Sequence, residues 1–465
     1  MSRGEQRRGR PAQRIQPARR IAFEVISAVR ESDAYANLLL PVKLERAGLH
    51  GADAGLATEL TYGTLRRQGY YDAVIAVAAG RSTDQIDPPV LDVLRLACHQ
   101  LLSMRVAEHA AVDEAVSQAH EVASRSATGF VNGVLRTITR TPPEEWRERV
   151  LAQPRNEDER LSLDHSHPVW IVRAFRQALA SEGRAGELEA LLEADNRAPK
   201  VSLVALPGLA TVGETAGEPA QYSPLAAVSD GGDPSRSPAV RDGRVRVQDE
   251  GSQLAALALS RARPVTPGER WLDLCAGPGG KAALLAAEAV AGGATLVANE
   301  VVPARAQLVR NALSVFTDPP QVLVEDGTLL GERFPEQFDR VLIDAPCTGL
   351  GALRRRPEAR WRKVPRDVPE LAALQSQLLE SGLAAVKPGG LLAYVTCSPH
   401  LAETRLVVEN VLKKAAGAIT QLNTAEILQE IADAPLDLAD STTSVQLWPH
   451  RHGTDAMFIC LLQKA

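Results

Sequence analysis

Apolar residues over the first 140 positions recur every three or four residues. Ile21, Val25, Ile26 and Val29 form one stripe, Val112, Val116 and Ala119 a second, and Phe130, Val131, Val134, Leu135 and Ile138 a third. That spacing, near 3.6, marks amphipathic helices packed on one another. Pro142-Pro143 closes the block. Helical patterns continue at Val169–Ala180 and Glu187–Ala194, and one short strand is expected at Val201–Leu206. Residues 207–245 are rich in Gly, Pro, Ser and Asp and read as a flexible insertion with little capacity to bury a core.

From 248 onward apolar runs alternate with helical stripes. Strands are expected at Trp271–Leu274, Thr295–Ala298, Val322–Val324, Arg340–Ile343 and Leu391–Thr396, and helices at Lys281–Ala289, Pro303–Leu313 and Glu370–Val386. Pro388-Gly389-Gly390 is expected to turn tightly into the strand that ends near Cys397. Val445–Trp448 and Met457–Leu462 read as a closing antiparallel pair. Alternation of this kind implies a mostly parallel, doubly wound sheet. The chain therefore divides into a basic arm (1–19), an all-α domain (20–140), a linker region with the flexible insertion (141–247) and an α/β, Rossmann-like domain (248–465).

Composition narrows the classes. No run of about 18 apolar residues exists, so no membrane span is expected. Glu24 and Arg30 interrupt the first apolar stretch, which argues against a secretory signal. Five widely spaced cysteines (98, 275, 347, 397, 460) form no Cys-x-x-Cys pair, so neither a disulfide framework nor a metal site is expected, and a cytoplasmic location is. The net charge of −5 disfavours a uniformly basic nucleic-acid binder but leaves room for local patches. One such patch is the N-terminus, where residues 1–20 carry seven Arg and one Glu. Another is Arg354, Arg355, Arg356, Arg360, Arg362 and Lys363, with Trp361 among them, directly after the Cys347 loop. Guanidinium groups can bind phosphates there and the indole can stack on a base.

The chemistry concentrates at the expected strand ends. Asp273-Leu274-Cys275-Ala276-Gly277-Pro278-Gly279-Gly280-Lys281 occupies a strand-to-helix junction, where glycines let backbone approach a ligand. Its spacing matches neither the dinucleotide nor the triphosphate fingerprint. Glu300 ends the next strand and can accept ribose hydroxyls, and Asp326 ends the third and can bind an adenine amino group. Together these suit S-adenosylmethionine. Cys347, in Asp344-Ala345-Pro346-Cys347, and Cys397, in Val395-Thr396-Cys397-Ser398, end two further strands. Parallel sheets bind ligands at their carboxyl ends, so both thiols should converge on the cofactor loop. Paired with a methyl donor, a thiol suggests attack on cytosine C6, which makes C5 nucleophilic. Asp344 is placed to stabilise the adduct near N3. Cys98 and Cys460 lie in apolar runs and read as buried hydrophobes.

The Gly-rich segment, Asp344-Ala345-Pro346-Cys347-Thr348-Gly349-Leu350-Gly351 and Val395-Thr396-Cys397-Ser398 resemble the motifs of RNA cytosine-C5 methyltransferases related to Nop2 and Sun. Gln248-Asp249-Glu250-Gly251-Ser252-Gln253 and Pro449-His450-Arg451-His452-Gly453-Thr454-Asp455 agree. The helical block is similar to the NusB-like domain of the bacterial Sun-type 16S rRNA enzyme, in Ala57–Arg66, His109–Val116 and Phe130–Arg136. The resemblance implies that Cys397 is the nucleophile and Cys347 assists product release. It also implies that residues 275–281, Glu300, Asp326 and Asp344 bind S-adenosylmethionine, and that a small RNA-recognition-like subdomain precedes the catalytic core. The expected partner is RNA, first of all 16S rRNA, with the chain a monomer. The same chemistry on tRNA, or an RNA-binding assembly factor without activity, are the alternatives.

Overall fold

The computed structural model describes residues 15–465 apart from Asp33, Ala216, Ala416 and Ser441. Residues 1–14, most of the expected basic arm, lie outside the described residues. Two compact units emerge, the first reaching Val172 and taking in Arg355–Arg360, the second comprising Arg173–Arg354 and Trp361–Ala465.

The first unit is helical, as the periodicity predicts. Ile21, Val25 and Val29, on helix Pro17–Glu31, join Leu60, Leu65 and Leu96 in one core. Val131, Val134, Leu135 and Ile138 join Tyr71, Val74, Val93 and Leu94 in another. Trp146 and Val150 belong to that second core, and the Trp146 indole donates to the Ile138 carbonyl at 3.0 Å. The helical unit thus runs past Pro142-Pro143, because Pro143 takes the first position of helix Pro143–Leu151, where its missing N–H costs nothing.

Residues 207–245 do not form the loose insertion that their composition suggests. Strands β1 (Ser202–Ala205), β2 (Gly217–Pro219), β3 (Ala226–Ser229) and β4 (Val245–Val247) make an antiparallel sheet in the order β2-β3-β1-β4. Strand alternation gives it two faces. Leu203 and Ala205 pack with Ala239 and Val245, whereas Val204, Leu206 and Tyr222 join the main core of the second unit. Strands of three or four residues with alanines in the core show no readable period of two.

The main sheet contains β5 (Arg270–Asp273), β6 (Thr295–Asn299), β7 (Gln321–Leu323), β8 (Phe338–Asp344), β9 (Val386–Thr396), β10 (Ile419–Gln421), β11 (Val445–Gln446) and β12 (Phe458–Lys464). Its order is β10-β12-β9-β8-β5-β6-β7, with β11 paired to β12. Strands β9-β8-β5-β6-β7 are parallel, and β12 runs antiparallel to β9 and β10. Pro388-Gly389-Gly390 lies inside β9 and not in a turn before it. Phe338 opposes Val386 but Arg340 opposes Leu391, so the extra residues bulge, with Gly389 at φ +72°. Among the described residues, no helix is long and apolar enough to cross a membrane.

Candidate active site

The carboxyl ends of β5, β6, β8 and β9 carry the groups that the sequence singles out. At β5 the chain enters the Gly-rich loop and then helix Gly280–Ala291. The loop is compact because Ala276 N–H donates to Asn299 O at 2.8 Å and Gly279 N–H to Ala276 O at 2.7 Å. Gly279 needs its missing side chain twice, since φ is +108° and a Cβ would lie 2.6 Å from that of Ala312. A Cβ on Gly277 would collide with a carboxylate oxygen of Glu300. Glu300, 4% exposed, accepts the Val302 N–H at 3.0 Å and faces Arg305 at 3.4 Å. The Gly-rich loop and Glu300 therefore share one cradle, and only glycine leaves room for both.

Asp326 lies on the surface beyond β7. Its Oδ1 accepts the Thr328 N–H at 2.9 Å and hydroxyl at 2.7 Å, and these bonds hold its carboxyl below the usual range. Asn299, which sequence reasoning did not single out, knits these strand ends together. Its Nδ2 donates to Leu274 O and Glu325 O, and its Oδ1 accepts the Glu325 N–H, each at 3.1 Å.

Asp273 is wholly buried behind the loop, and among the described residues no side chain hydrogen-bonds its carboxylate. Burial, reinforced by Asp344, pushes its pKa up to about 8. A raised carboxyl favours the protonated fold, so stability present at low pH is lost as pH rises through the folded pKa. Asp273→Asn should therefore melt close to the parent at pH 4, near the unfolded carboxyl's pKa, and several degrees above it at pH 9, beyond the folded one, given about 2–4 °C per kcal/mol. Thermal melts at both pH values check this, and equal shifts at the two would contradict it.

The two thiols meet. Cys347 Sγ and Cys397 Sγ are 3.5 Å apart, within hydrogen-bond distance for sulfur and too far for a disulfide. Adjacent strands bring them together, since Ala345 N–H donates to Val395 O and Gly351 N–H to Cys397 O, both at 2.9 Å. The hydrogen bond to Cys397, followed by burial, pushes the Cys347 thiol well above the usual range. Cys347 therefore stays protonated beside Cys397. Lys281 Nζ stands 2.9 Å from Asp344 Oδ2. Burial opposes its charge, but Asp344, then Cys397 and Asp273, more than offset this and raise the ammonium's pKa. The Cys347 S–H thus faces Cys397, and the Lys281 ammonium is held by Asp344 with Cys397 contributing. Cys98 and Cys460 are buried, as expected, and burial pushes both thiols up, Cys460 to about 12.

Glu403, which the sequence does not single out, joins the two thiol loops. Fully buried, it accepts the Thr348 N–H (2.7 Å), the Thr348 hydroxyl (2.5 Å) and the Ser398 hydroxyl (2.6 Å). Thr348 follows Cys347 and Ser398 follows Cys397, so one carboxylate clasps both thiol loops. Its position in Leu401-Ala402-Glu403, a short 3₁₀ turn, carries no periodic signal.

Two arginines of the basic segment are buried and differ from the exposed patch expected. Arg354 is 6% exposed and sits between Asp455 (3.0 Å) and Asp249 (3.1 Å). Arg360 is fully buried and donates to the carbonyls of Arg66 (2.7 Å) and Ser166 (3.2 Å). Both are structural, because buried backbone carbonyls and carboxylates captured their guanidinium groups. Arg356 and Trp361 are exposed, and Arg355, Arg362 and Lys363 are half-buried. The Arg356 guanidinium also lies 5.7 Å from the Tyr35 ring centre.

Residues 262–463 match the family described as 16S rRNA methyltransferase RsmB/F, and residues 16–140 match the NusB family. The "Putative methyltransferase Rv1407" of Mycobacterium tuberculosis is 48% identical over all of this chain and 99% of its own length. The "Probable ribosomal RNA small subunit methyltransferase B" of Bacillus subtilis is 30% identical over 96% of this chain and 98% of its own. Among solved structures, PH0851 superposes with a TM-score of 0.78 at 24% identity, covering 97% of this chain and 100% of that one. A methyltransferase homologue from Pyrococcus horikoshii gives 0.51 at 22%, covering 66% and 98%. These two likenesses concern the fold.

Proposed function

Because this chain belongs to the RsmB/F family of 16S rRNA methyltransferases, we propose that it methylates C5 of a cytosine in 16S rRNA through a covalent bond from Cys397 to C6. It is an S-adenosylmethionine-dependent rRNA methyltransferase, and the cofactor supplies an electrophilic methyl group when bound. The Gly277–Lys281 loop, Glu300 and Asp326 form the cradle for it, with Asp344 beside them. The observation that carries the C5 reading is the 3.5 Å pairing of two thiols next to Lys281 and Asp344.

Cys397 attacks as the thiolate, and the C5=C6 electrons move to C5, which takes the methyl group. Removal of the C5 proton then lets the C–S bond break and restores the double bond. Before attack, Cys347 is a thiol hydrogen-bonded to Cys397. Once Cys397 is a thioether, the interaction that most raises Cys347 is gone; Cys347 then gives its proton to solvent and, as the thiolate, takes the C5 proton. The target base must leave any stack to reach Cys397. Bisulfite sequencing of 16S rRNA and tRNA, each incubated with enzyme and S-adenosylmethionine, tests the reading. It predicts one newly protected cytosine in 16S rRNA. Protection in tRNA alone would move the substrate, and protection in neither would reject the chemistry.

Two further results are expected. Glu300→Ala and Asp326→Ala should each weaken S-adenosylmethionine binding by about 1–3 kcal/mol, one lost hydrogen bond to an uncharged group. Calorimetric titration checks this, and unchanged affinity in both would move the cofactor elsewhere. Charge reversal at Arg356 and Lys363 should weaken RNA binding and lower its salt slope by about 0.7 per lost contact with single strands. Arg354→Glu should instead lower the melting temperature, because it places three carboxylates in one buried site. An unchanged salt slope in the first variant would make that surface a bystander.

A further inference from the structure

The segment from Gln248 to Gln253 is dense in hydrogen bonds. Asp249 pairs with Arg354 and accepts the N–H groups of Gly251 and Asp455 at 3.0 Å. Glu250 accepts the N–H groups of Tyr222 and Ser223 at 2.5 and 2.7 Å. Gln253 accepts the Ser223 hydroxyl at 2.8 Å and donates to the carbonyls of Gln248 (3.0 Å) and Leu203 (3.3 Å). Gln248 is the exception. Its backbone is fixed at both ends, N–H to Ser202 O and carbonyl to Gln253, yet its side chain is 7% exposed and neither amide atom has a partner among the described residues. A buried donor and acceptor left unmet are a cost that packing alone does not explain.

The position of that amide suggests what meets it. A Cβ on Gly280 would lie 3.9 Å from both Cδ and Nε2 of Gln248, so the amide faces the first residue of helix Gly280–Ala291. The next residue, Lys281, pairs with Asp344 in the catalytic centre. On its other side, Asp249 holds Asp455, Ala456 N–H donates to Gly351 O at 2.8 Å, and Gly351 N–H donates to Cys397 O. The backbone that follows Gln248 is therefore tied to the thiol side of the site, while the amide itself lies against Gly280 at the start of the helix.

We infer that Gln248 is a substrate contact that hydrogen-bonds the target nucleotide of the RNA, and not the cofactor. The inference rests on the function proposed above. A planar amide offers one donor and one acceptor side by side, which complements the alternating polar groups of a cytosine nucleotide. In the enzyme without RNA those bonds are unmet, and the nucleotide supplies them on entry.

Gln248→Met tests this, since it keeps the length and removes both polar atoms. The substrate-free variant should melt at or above the parent's temperature. Its affinity for S-adenosylmethionine should stay within about twofold, and kcat/KM on a 16S rRNA transcript should fall about ten- to a hundredfold, as for one or two lost hydrogen bonds. A lower melting temperature or failure to fold would assign the amide to structure. Weakened cofactor binding would assign it to the cofactor, and an unchanged kcat/KM would leave it no role in substrate binding; each overturns the inference. The parent is assayed for 5-methylcytosine in parallel. A parent that forms none overturns the proposed function, whereas an active parent matched by Gln248→Met overturns only this inference.

Discussion

Cys347→Ala, mixed with 16S rRNA and S-adenosylmethionine, should accumulate a protein–RNA complex that survives boiling on a denaturing gel. Cys397→Ala and the double variant should give none. The asymmetry follows from the paired thiols. Without Cys397 no bond to C6 forms, and methyl transfer should fall by several orders of magnitude while cofactor still binds. Without Cys347 the attack proceeds, but the group nearest the reacting centre for C5 proton removal is gone and the adduct stalls. Both substitutions remove only a half-buried sulfur, so melting temperatures should stay near that of the parent. The reverse pattern, an adduct from Cys397→Ala alone, would exchange the two roles.

Glu403→Ala should be the most damaging change outside the cysteines, lowering stability and activity together. It removes the acceptor of the Thr348 N–H and of the Thr348 and Ser398 hydroxyls in a buried site, leaving the two hydroxyls only their 3.2 Å contact with each other as an outlet. Each unmet group costs about 1–3 kcal/mol, so a total near 3 kcal/mol or more is expected after partial relaxation. The loops that carry Cys347 and Cys397 would also lose their common anchor, so the adduct seen with Cys347→Ala should disappear from Cys347→Ala/Glu403→Ala. Thermal melts and the denaturing gel together check this. A stable Glu403→Ala enzyme with full turnover would show that the thiol pair does not depend on the clasp.

The strands that position this site were legible because they are apolar runs bounded by glycine, proline or acid. Trp271–Leu274 and Leu391–Thr396 fall within a residue or sit inside the observed strands, and the thiols beyond the ends of the adjacent parallel strands β8 and β9 meet. The small sheet over 202–247 was not legible, since Gly217–Pro219 and Val245–Val247 are three residues long and gain stability only from pairing. Pro388-Gly389-Gly390 reads as a turn in the sequence because local chemistry cannot tell a hairpin from a bulge inside a longer strand. The basic run misled for a different reason. Charge along a sequence does not reveal a buried acceptor, and Arg354 and Arg360 have theirs at Asp249, Asp455, Arg66 and Ser166, far away in the chain. Glu403 and Asn299 were invisible on the same ground, as each acts through loops that come together only in the fold.

The most direct test of the central claim is mass spectrometry of the Cys347→Ala complex after nuclease and protease digestion. One peptide, the one containing Cys397, should carry a single cytidine nucleotide with one added methyl group. A nucleotide on any other residue, or no covalently linked nucleotide under conditions where the parent enzyme turns over, would contradict it.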